Sequence, residues 1–433
     1  MYKKGLVLAA AALSIYTTAA AQKLRPITQQ ETTRIIKTLS ADAMRGRASF
    51  SPDIDRAAAF IAGEFSRIGL KPLPGDNDFL QTFTVYSLTP EAKEGQLNGK
   101  PLAPKQFFSA TNKKELHWQA GTNRKVVVVG SQDNFRKVLG SLQKADQDAL
   151  VLVNPEHQKI FNAYQDYVSS GSVSIGSDKR PDLVFVLTDQ PQAGSYSFDI
   201  QNKIEEKQLT NVTGMIEGKR KDEIVVFSGH YDHLGIIKPE AGDSIANGAD
   251  DDASGTTAMM MLAEYYKKHT KPERTLIFVA FTAEEIGGYG SRYFSEQLAP
   301  DKIVAMFNIE MVGMPSKFGP NNAYITGYDK SDMGQLLQKR LAGTAYSIHP
   351  DPYPEQNLFY RSDNATLARL GVPAHTISSV QIDKDKLYHS VDDELASLDM
   401  AHLTNMIKAI ALASQGIVNG EDTPTRVDKT QVQ

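Results

Sequence analysis

Five short motifs lie in order between His230 and His389, and each carries a side chain able to hold a metal ion. They are SGHYDHLG (228–235), NGADDDASG (247–255), FTAEEIGGYGS (281–291), NIEMVG (308–313) and LYHSVDDE (387–394). The first four end or follow apolar runs that read as β-strands. Open α/β sheets place their ligands outside the carboxyl ends of their strands, so the motifs are expected to converge on one edge. His230 and His389 with Asp251, Glu285 and Glu310 would then supply two imidazoles and three carboxylates, a donor set for a two-metal hydrolytic site.

A histidine at a strand end is more often a packed structural residue than a ligand, but Asp232 stands two residues beyond His230. A carboxylate there can hydrogen-bond the ring N–H, fix its tautomer and raise its basicity. His233 reads as packing or rim. In ADDDASG one acid suffices to cap a helix start, and three in a row repel each other; a bound dication relieves that repulsion. Ser254 is the natural cap, which leaves Asp251 free to bridge two metals. Glu284 and Glu285 would face opposite ways in a regular strand. Ahead of Gly287 and Gly288 the backbone can turn and bring both to one centre. One then binds metal, while the other takes a proton from a water whose pKa falls from about 15.7 to about 7. That second glutamate acts as general base and later as general acid. Glu310 and His389 complete the second metal's shell. Tyr388 can offer its phenol to an oxyanion, and Asp392 or Asp393 caps the following helix.

The elements that must position these residues follow from the apolar pattern. EIVVFSG (223–229), RTLIFVAF (274–281), IVAMFNI (303–309) and AHTIS (374–378) read as strands, 254–268 as a helix between the first two, and 395–417 as a closing helix. Helical spacing also marks 28–40 (Ile35, Ile36, Leu39) and 53–69 (Ala57, Phe60, Ile61, Phe65). Asp53 or Asp55 is available as a cap and Gly69 as a stop. The loop between them, MRGRASFSP, reads as a connector. VVVVG (126–130), ALVLVN (149–154) and DLVFVL (182–187) look like buried strands alternating with helical stretches at 134–144 and 157–168, a small inserted α/β module expected to serve as lid or spacer. The fold class is α/β, with a mixed, largely parallel central sheet flanked by helices and a small α/β insert.

Hydrophobic residues make up 41% and charged residues 23% of the 433, an ordinary globular balance. The absence of cysteine excludes disulfides and thiolate ligands, so zinc would have to sit on histidines and carboxylates. The opening MYKKGLVLAAAALSIYTTAAAQ has a basic start (Lys3, Lys4), an apolar core (Leu6 to Ile15) and a small-residue cleavage site (Ala19-Ala20-Ala21). That is the pattern of a signal peptide, too short for a spanning helix. It implies export, to the periplasm or beyond the cell, with no stable membrane insertion once it is removed. Losing residues 1–21 takes away two lysines and no acids, moving the formal charge from −4 to −6. No basic stretch suits nucleic acid. The expected organisation is signal peptide 1–21, first part of a catalytic domain 22–89, insert 90–205, metallopeptidase core 206–420 and a flexible tail 421–433.

The five motifs resemble those of the co-catalytic zinc exopeptidases, which include bacterial leucyl aminopeptidases, aminopeptidase Y and glutamate carboxypeptidase II. The resemblance covers about 211–415, and ADAMRGR…AAAFIAGEFSRIGLKPL is similar to the lead-in of bacterial members. It implies the zinc exopeptidase fold, related to phosphorylase/hydrolase-like domains, and two Zn2+ per chain. His230 and Glu310 would hold one ion, Glu285 and His389 the other, with Asp251 bridging. Glu284 would be the base, Asp232 would orient His230 and Tyr388 would steady the tetrahedral intermediate. It also implies a cis peptide between Asp251 and Asp252 and likens the insert to a reduced protease-associated domain. Many members carry Asp at the position of Glu310, so one zinc would be bound differently here. The implied activity is aminopeptidase action on peptide or protein N-termini. A carboxypeptidase or dipeptidase would need a cationic clamp, for which Arg361 in FYRSDN is the candidate. Glutaminyl cyclases of this fold lack the DDASG form of the second motif, and non-catalytic binding relatives lose ligands that this chain keeps.

Overall fold

The computed structural model describes residues 24–432 apart from 122–123, 146 and 177–179; the leader expected over 1–21 lies outside the described residues. The chain forms two units, one running to Phe83 and resuming at Leu209, the other Thr84–Gln208. The second is longer than the expected 90–205 because strands Leu80–Leu97 and Tyr196–Ile216 run through both junctions instead of stopping there.

The first unit is built on β1 (Arg220–His230), β2 (Arg274–Phe281), β3 (Ile303–Ile309), β4 (Asn322–Ile325), β5 (Ser347–Pro350) and β6 (Ala374–Ser378). Their order is β5-β4-β6-β3-β1-β2, with residues 212–216 next in the row and antiparallel to β2. β1 runs parallel to β2 and β3, and β3 to β6, while β4 is antiparallel to β6. A parallel sheet covered on both faces needs strands that are apolar throughout, which is what EIVVF and RTLIFVAF supply. Val225 and Phe227 enter one layer, under α1 (Gln29–Leu39), α2 (Pro52–Ile68), α3 (Gly255–His269), α5 (Met333–Leu341) and α7 (Met400–Ala413). Val226 and Ile277 enter the other, under α4 (Tyr289–Gln297) and α6 (Asn364–Arg369). The Phe227 ring stacks on Phe278 and Phe307, at 5.5 and 4.9 Å. Those contacts set β1 to β3 in step: Ser228 lies beside Val279 and Asn308, and His230 beside Phe281. The three central strands therefore end at one edge, where His230, the Glu284–Glu285 turn and Glu310 emerge.

Several local expectations are corrected. Ser51, not Asp53 or Asp55, caps α2, its Oγ accepting the Asp53 N–H at 3.2 Å. Gly69 ends that helix at φ 85°, in the left-handed region that favours glycine. Ser254 does not cap α3: its Oγ donates to Asp250 O at 2.7 Å, and Asp252 Oδ1 accepts the Gly255 N–H at 3.0 Å. The closing helix is divided into a turn at Leu395–Ser397, α7, and a short helix Gln415–Val418, with Asp399 capping α7 through the Ala401 and His402 N–H groups. Residues 421–432 are held, not loose. The buried Arg274 guanidinium donates to Asp422 O (2.7 Å) and Thr423 Oγ1 (2.6 Å), and Val427 is buried.

The second unit has a four-stranded sheet in the order 107–110, 183–187, 149–153, 125–129, with helices Phe135–Lys144 and Gln158–Ser169. Ala149–Val153 and Leu183–Leu187 are buried strands as expected. Lys125–Val129 is the edge strand, and Val126 and Val128 are 41% and 46% exposed. Among the described residues no helix is long and apolar enough to cross a membrane.

Candidate metal centre

Asp252 ties the site together before any ligand is counted. Its carboxylate accepts the His230 N–H at the end of β1 (3.1 Å), the Gly255 N–H opening α3 (3.0 Å) and the Met311 N–H beyond β3 (3.1 Å). The peptide bond between Asp251 and Asp252 is cis. Gly248, at φ 56°, precedes this turn; a Cβ there would lie 2.2 Å from Asp251 O, so only glycine fits. After β2, Ala283 takes φ 58° and Gly287 and Gly288 take φ 126° and 66°. The chain turns here as expected; Glu284 feels the charges of His230 and Glu310, and Glu285 Oε2 lies 3.0 Å from His389 Nε2.

The structure brings all five expected ligand residues together. His230 Nε2 lies 3.2 Å from Asp251 Oδ1, and His389 Nε2 lies 3.4 Å from Asp251 Oδ2 and 3.0 Å from Glu285 Oε2. Tetrahedral zinc with bonds of about 2.0–2.1 Å keeps its ligand atoms about 3.3 Å apart, so these separations are those of donors around an ion. His230, Asp251 and Glu310 form one such group, and Asp251, Glu285 and His233 a second that His389 adjoins. Asp251 belongs to both, one oxygen to each side. His230 Nε2 and Glu310 Oε2 are buried with no hydrogen-bond partner. In a native fold such orphaned atoms require an explanation, and a cation supplies one. The residues fit zinc.

The electrostatics agree. Burial opposes ionisation of Asp251, but His230 and His389 outweigh it and hold its carboxyl below the ordinary range. Asp251 and Glu285 in turn raise His389 to about 10. Burial pushes Glu310 up to about 7 and Glu284 well above its usual value, with Glu310, Asp363 and Glu285 adding to the effect against the pull of His230.

Three assignments change. The Asp232 carboxylate is 3.8 Å from His230 Nδ1, too far for a hydrogen bond; the near partner of that nitrogen is the Asp232 main-chain oxygen, at 3.1 Å. The carboxylate instead accepts the Glu284 N–H (3.1 Å), the Glu285 N–H (3.4 Å) and Ser49 Oγ–H (3.1 Å), so it braces the glutamate turn. His233 is not at the rim: its Nδ1 is 2.7 Å from Glu285 Oε1. Asp393 does not cap a helix but accepts the Asp250 and Asp251 N–H groups, at 2.8 and 3.0 Å.

The MRGRAS loop, expected to be a connector, is part of the site. Arg47 is 0% exposed and donates to four main-chain oxygens: Tyr231 (2.8 Å), Leu39 (2.6 Å), Asn247 (2.6 Å) and Gly248 (3.0 Å). It thereby clamps the loop after His230 to the loop before Asp251. The signal for this was slight, an arginine between small residues. Leaving a buried acceptor unpaired costs about 1–3 kcal/mol, so Arg47→Met should lower stability by roughly 3–5 kcal/mol. The check is the urea midpoint of the metal-loaded protein; a change within about 1 kcal/mol would refute the clamp.

A cavity of about 50 Å³ adjoins Glu310, lined among others by Met311, Thr376, Ser378, Tyr388 and Arg361. The Tyr388 ring stacks on His389 at 3.8 Å.

Histidines and carboxylates gathered at the strand ends of a mixed sheet, sharing one aspartate between two groups, define a metal-binding α/β domain of the zinc-aminopeptidase fold. Solved structures carry the same fold. An aminopeptidase from Aneurinibacillus sp. strain AM-1 superposes with a TM-score of 0.55 at 18% identity, over 96% of this chain and 98% of that one. BSAP, a zinc aminopeptidase from Bacillus subtilis, does so with 0.55 at 16% identity, over 92% and 97%. Residues 211–414 match the profile of peptidase family M28. Among curated relatives, a probable zinc metalloprotease of Leptosphaeria maculans is 32% identical over 140 residues, covering 32% of this chain and 30% of that protein. Leucine aminopeptidase 1 of Ajellomyces capsulatus is 28% identical over 216 residues, covering 46% and 53%. The chain thus spans about half or less of the length of these relatives.

Proposed function

We propose that the protein is an exported zinc-dependent exopeptidase, an aminopeptidase that hydrolyses the N-terminal peptide bond using two zinc ions and Glu284 as general base. The observation that carries this reading is the Asp251 carboxylate shared between two donor groups, with Glu284 in neither but close enough to feel the charges of His230, Glu310 and Glu285. The match of residues 211–414 to peptidase family M28 and the names of the matched relatives support it. His230, Glu310 and Asp251 would hold one ion, and Glu285, His389 and Asp251 the other. Bound zinc supplies a Lewis acid and lowers the pKa of water to about 7. Glu284 takes the proton of the attacking water and delivers it to the leaving amine. Tyr388 donates its phenol to the oxyanion. Asp232, through the Glu284 and Glu285 N–H groups, keeps base and ligand in one geometry. The surrounding acids meet the free α-amine of a peptide or protein, which confines cleavage to N-termini. Glu310 reaches one methylene further than aspartate, and its free Oε2 suits it to the ion it shares with His230. The signal-peptide pattern of residues 1–21 supports the export in this proposal, to the periplasm or beyond the cell.

Arg361 on the wall of the cavity beside Glu310 favours one competing reading, a carboxypeptidase or dipeptidase that grips a terminal carboxylate. Mass spectrometry of a mixed peptide pool, half of it N-acetylated, separates the two. Stepwise shortening of only the free-amine peptides is expected. Loss of residues from the C-terminus, or of ammonia from N-terminal Gln, would replace the aminopeptidase reading with a carboxypeptidase or a cyclase.

A further inference from the structure

His233 sits inside the second donor group, yet its geometry differs from that of the other members. Its side chain is fully buried. Nδ1 lies 2.7 Å from Glu285 Oε1 but 3.9 Å from Asp251 Oδ2. The other Glu285 oxygen, Oε2, faces His389 Nε2 at 3.0 Å. Two atoms bound to one zinc stand about 3.3 Å apart, whereas 2.7 Å is a charge-assisted hydrogen bond. The two glutamate oxygens therefore have different jobs, one toward the ion and one toward His233. The ring is fixed from behind: its main-chain N–H donates to Arg47 O at 3.3 Å, its residue bridges to Ala48, and a Cβ on Gly248 would come within 2.5 Å of ring atoms.

We infer that His233 is a positioning residue for the metal centre: it holds Glu285 by a hydrogen bond to Oε1, so that Oε2 is presented to the ion shared with Asp251 and His389. A free glutamate can rotate its carboxylate or swing away, and fixing it lowers the entropy lost on binding the ion. Partners of this kind change metal affinity by about 10- to 100-fold. The effect falls on one ion only, because the His230–Glu310 group lies on the other oxygen of Asp251. The inference rests on the two-zinc reading of the site.

The test is zinc content after dialysis against chelator-buffered zinc, read by elemental mass spectrometry, with folding followed by circular dichroism. The wild type should hold two ions per chain. His233→Leu should lose about 10- to 100-fold in affinity for one ion and keep the other. His233→Asn, whose amide nitrogen sits near the position of Nδ1, should recover most of the loss. Its cobalt-substituted absorption spectrum should match that of the wild type, since no coordinating atom has changed. Wild-type affinity for both ions in His233→Leu would overturn the inference. So would a cobalt band that shifts in His233→Asn, which would make the imidazole a direct ligand; this comparison holds even if the leucine variant fails to fold. A wild type that takes up fewer than two ions would instead refute the two-zinc reading.

Discussion

Glu284→Gln is expected to lower kcat by at least about 10³-fold while leaving zinc content unchanged. The two halves of this result have separate physical causes. The residue belongs to neither donor group, so replacing one carboxylate oxygen with an amide removes no ligand. Its backbone is pinned by its N–H to Asp232 Oδ1 (3.1 Å) and by the Gly287 and Gly288 N–H groups on its main-chain oxygen (2.9 and 3.1 Å), so the isosteric glutamine occupies the same place. What it cannot do is accept a proton. General base catalysis contributes about 10²–10⁴-fold, and in the proposed mechanism the same group also returns the proton to the leaving amine, so both steps would fail together. The contrast is Glu285→Gln, one residue on, which should lose zinc because its Oε2 faces His389 at 3.0 Å. Initial rates on a free-amine peptide and elemental analysis of the same samples decide the matter. A Glu284→Gln enzyme retaining a tenth or more of its rate would remove Glu284 from the proposed role of base.

The site was legible in the sequence to the extent that its parts are local. His230, Glu284 and Glu310 follow uninterrupted apolar runs, and such runs become central strands whose ends share an edge. Glycines mark where the backbone must reverse. What could not be read is which carboxylate faces which partner. Asp232 is two residues from His230 in sequence, yet its carboxylate braces a turn about fifty residues away. Asp393 looks like a helix cap until the fold lays it against the Asp250 and Asp251 N–H groups. Arg47 gave almost no signal because all four of its acceptors are main-chain oxygens, and main-chain oxygens have no sequence signature. His233 was misread for a related reason. Packing and positioning call for the same buried histidine, and only the distance to Glu285 separates them. The caps at Ser51 and Asp399 show the same limit on a smaller scale, since several acids and hydroxyls near each helix start were chemically equivalent candidates.

Removing the metal should reverse the sign of the protein's stability–pH slope between about pH 4.5 and 7. In the metal-free fold, burial raises Asp232 and Asp363 to about 6 and Asp250 and Glu310 to about 7. The unfolded chain releases the same protons near the ordinary carboxyl range of about 4. The folded form therefore binds more protons across this window, and stability, fully present at its lower end, is lost as pH rises through the folded values. His389, raised to about 10, continues the same trend above about 6.5. A shift of one unit corresponds to about 1.4 kcal/mol, so a buried group such as Glu310 contributes on the order of 3 kcal/mol. Zinc imposes the opposite dependence, because it binds deprotonated ligands and its affinity grows with pH. With free zinc at about a thousandfold over Kd, one ion stabilises by about 4 kcal/mol. Melting curves of chelator-treated and zinc-loaded protein should thus separate as pH rises from 5 to 7.5, the first Tm falling and the second rising, to a gap of roughly 10 °C. Parallel curves would mean that these carboxylates already ionise freely in the metal-free fold. In that case relief of buried charge would not be what the ions contribute to stability.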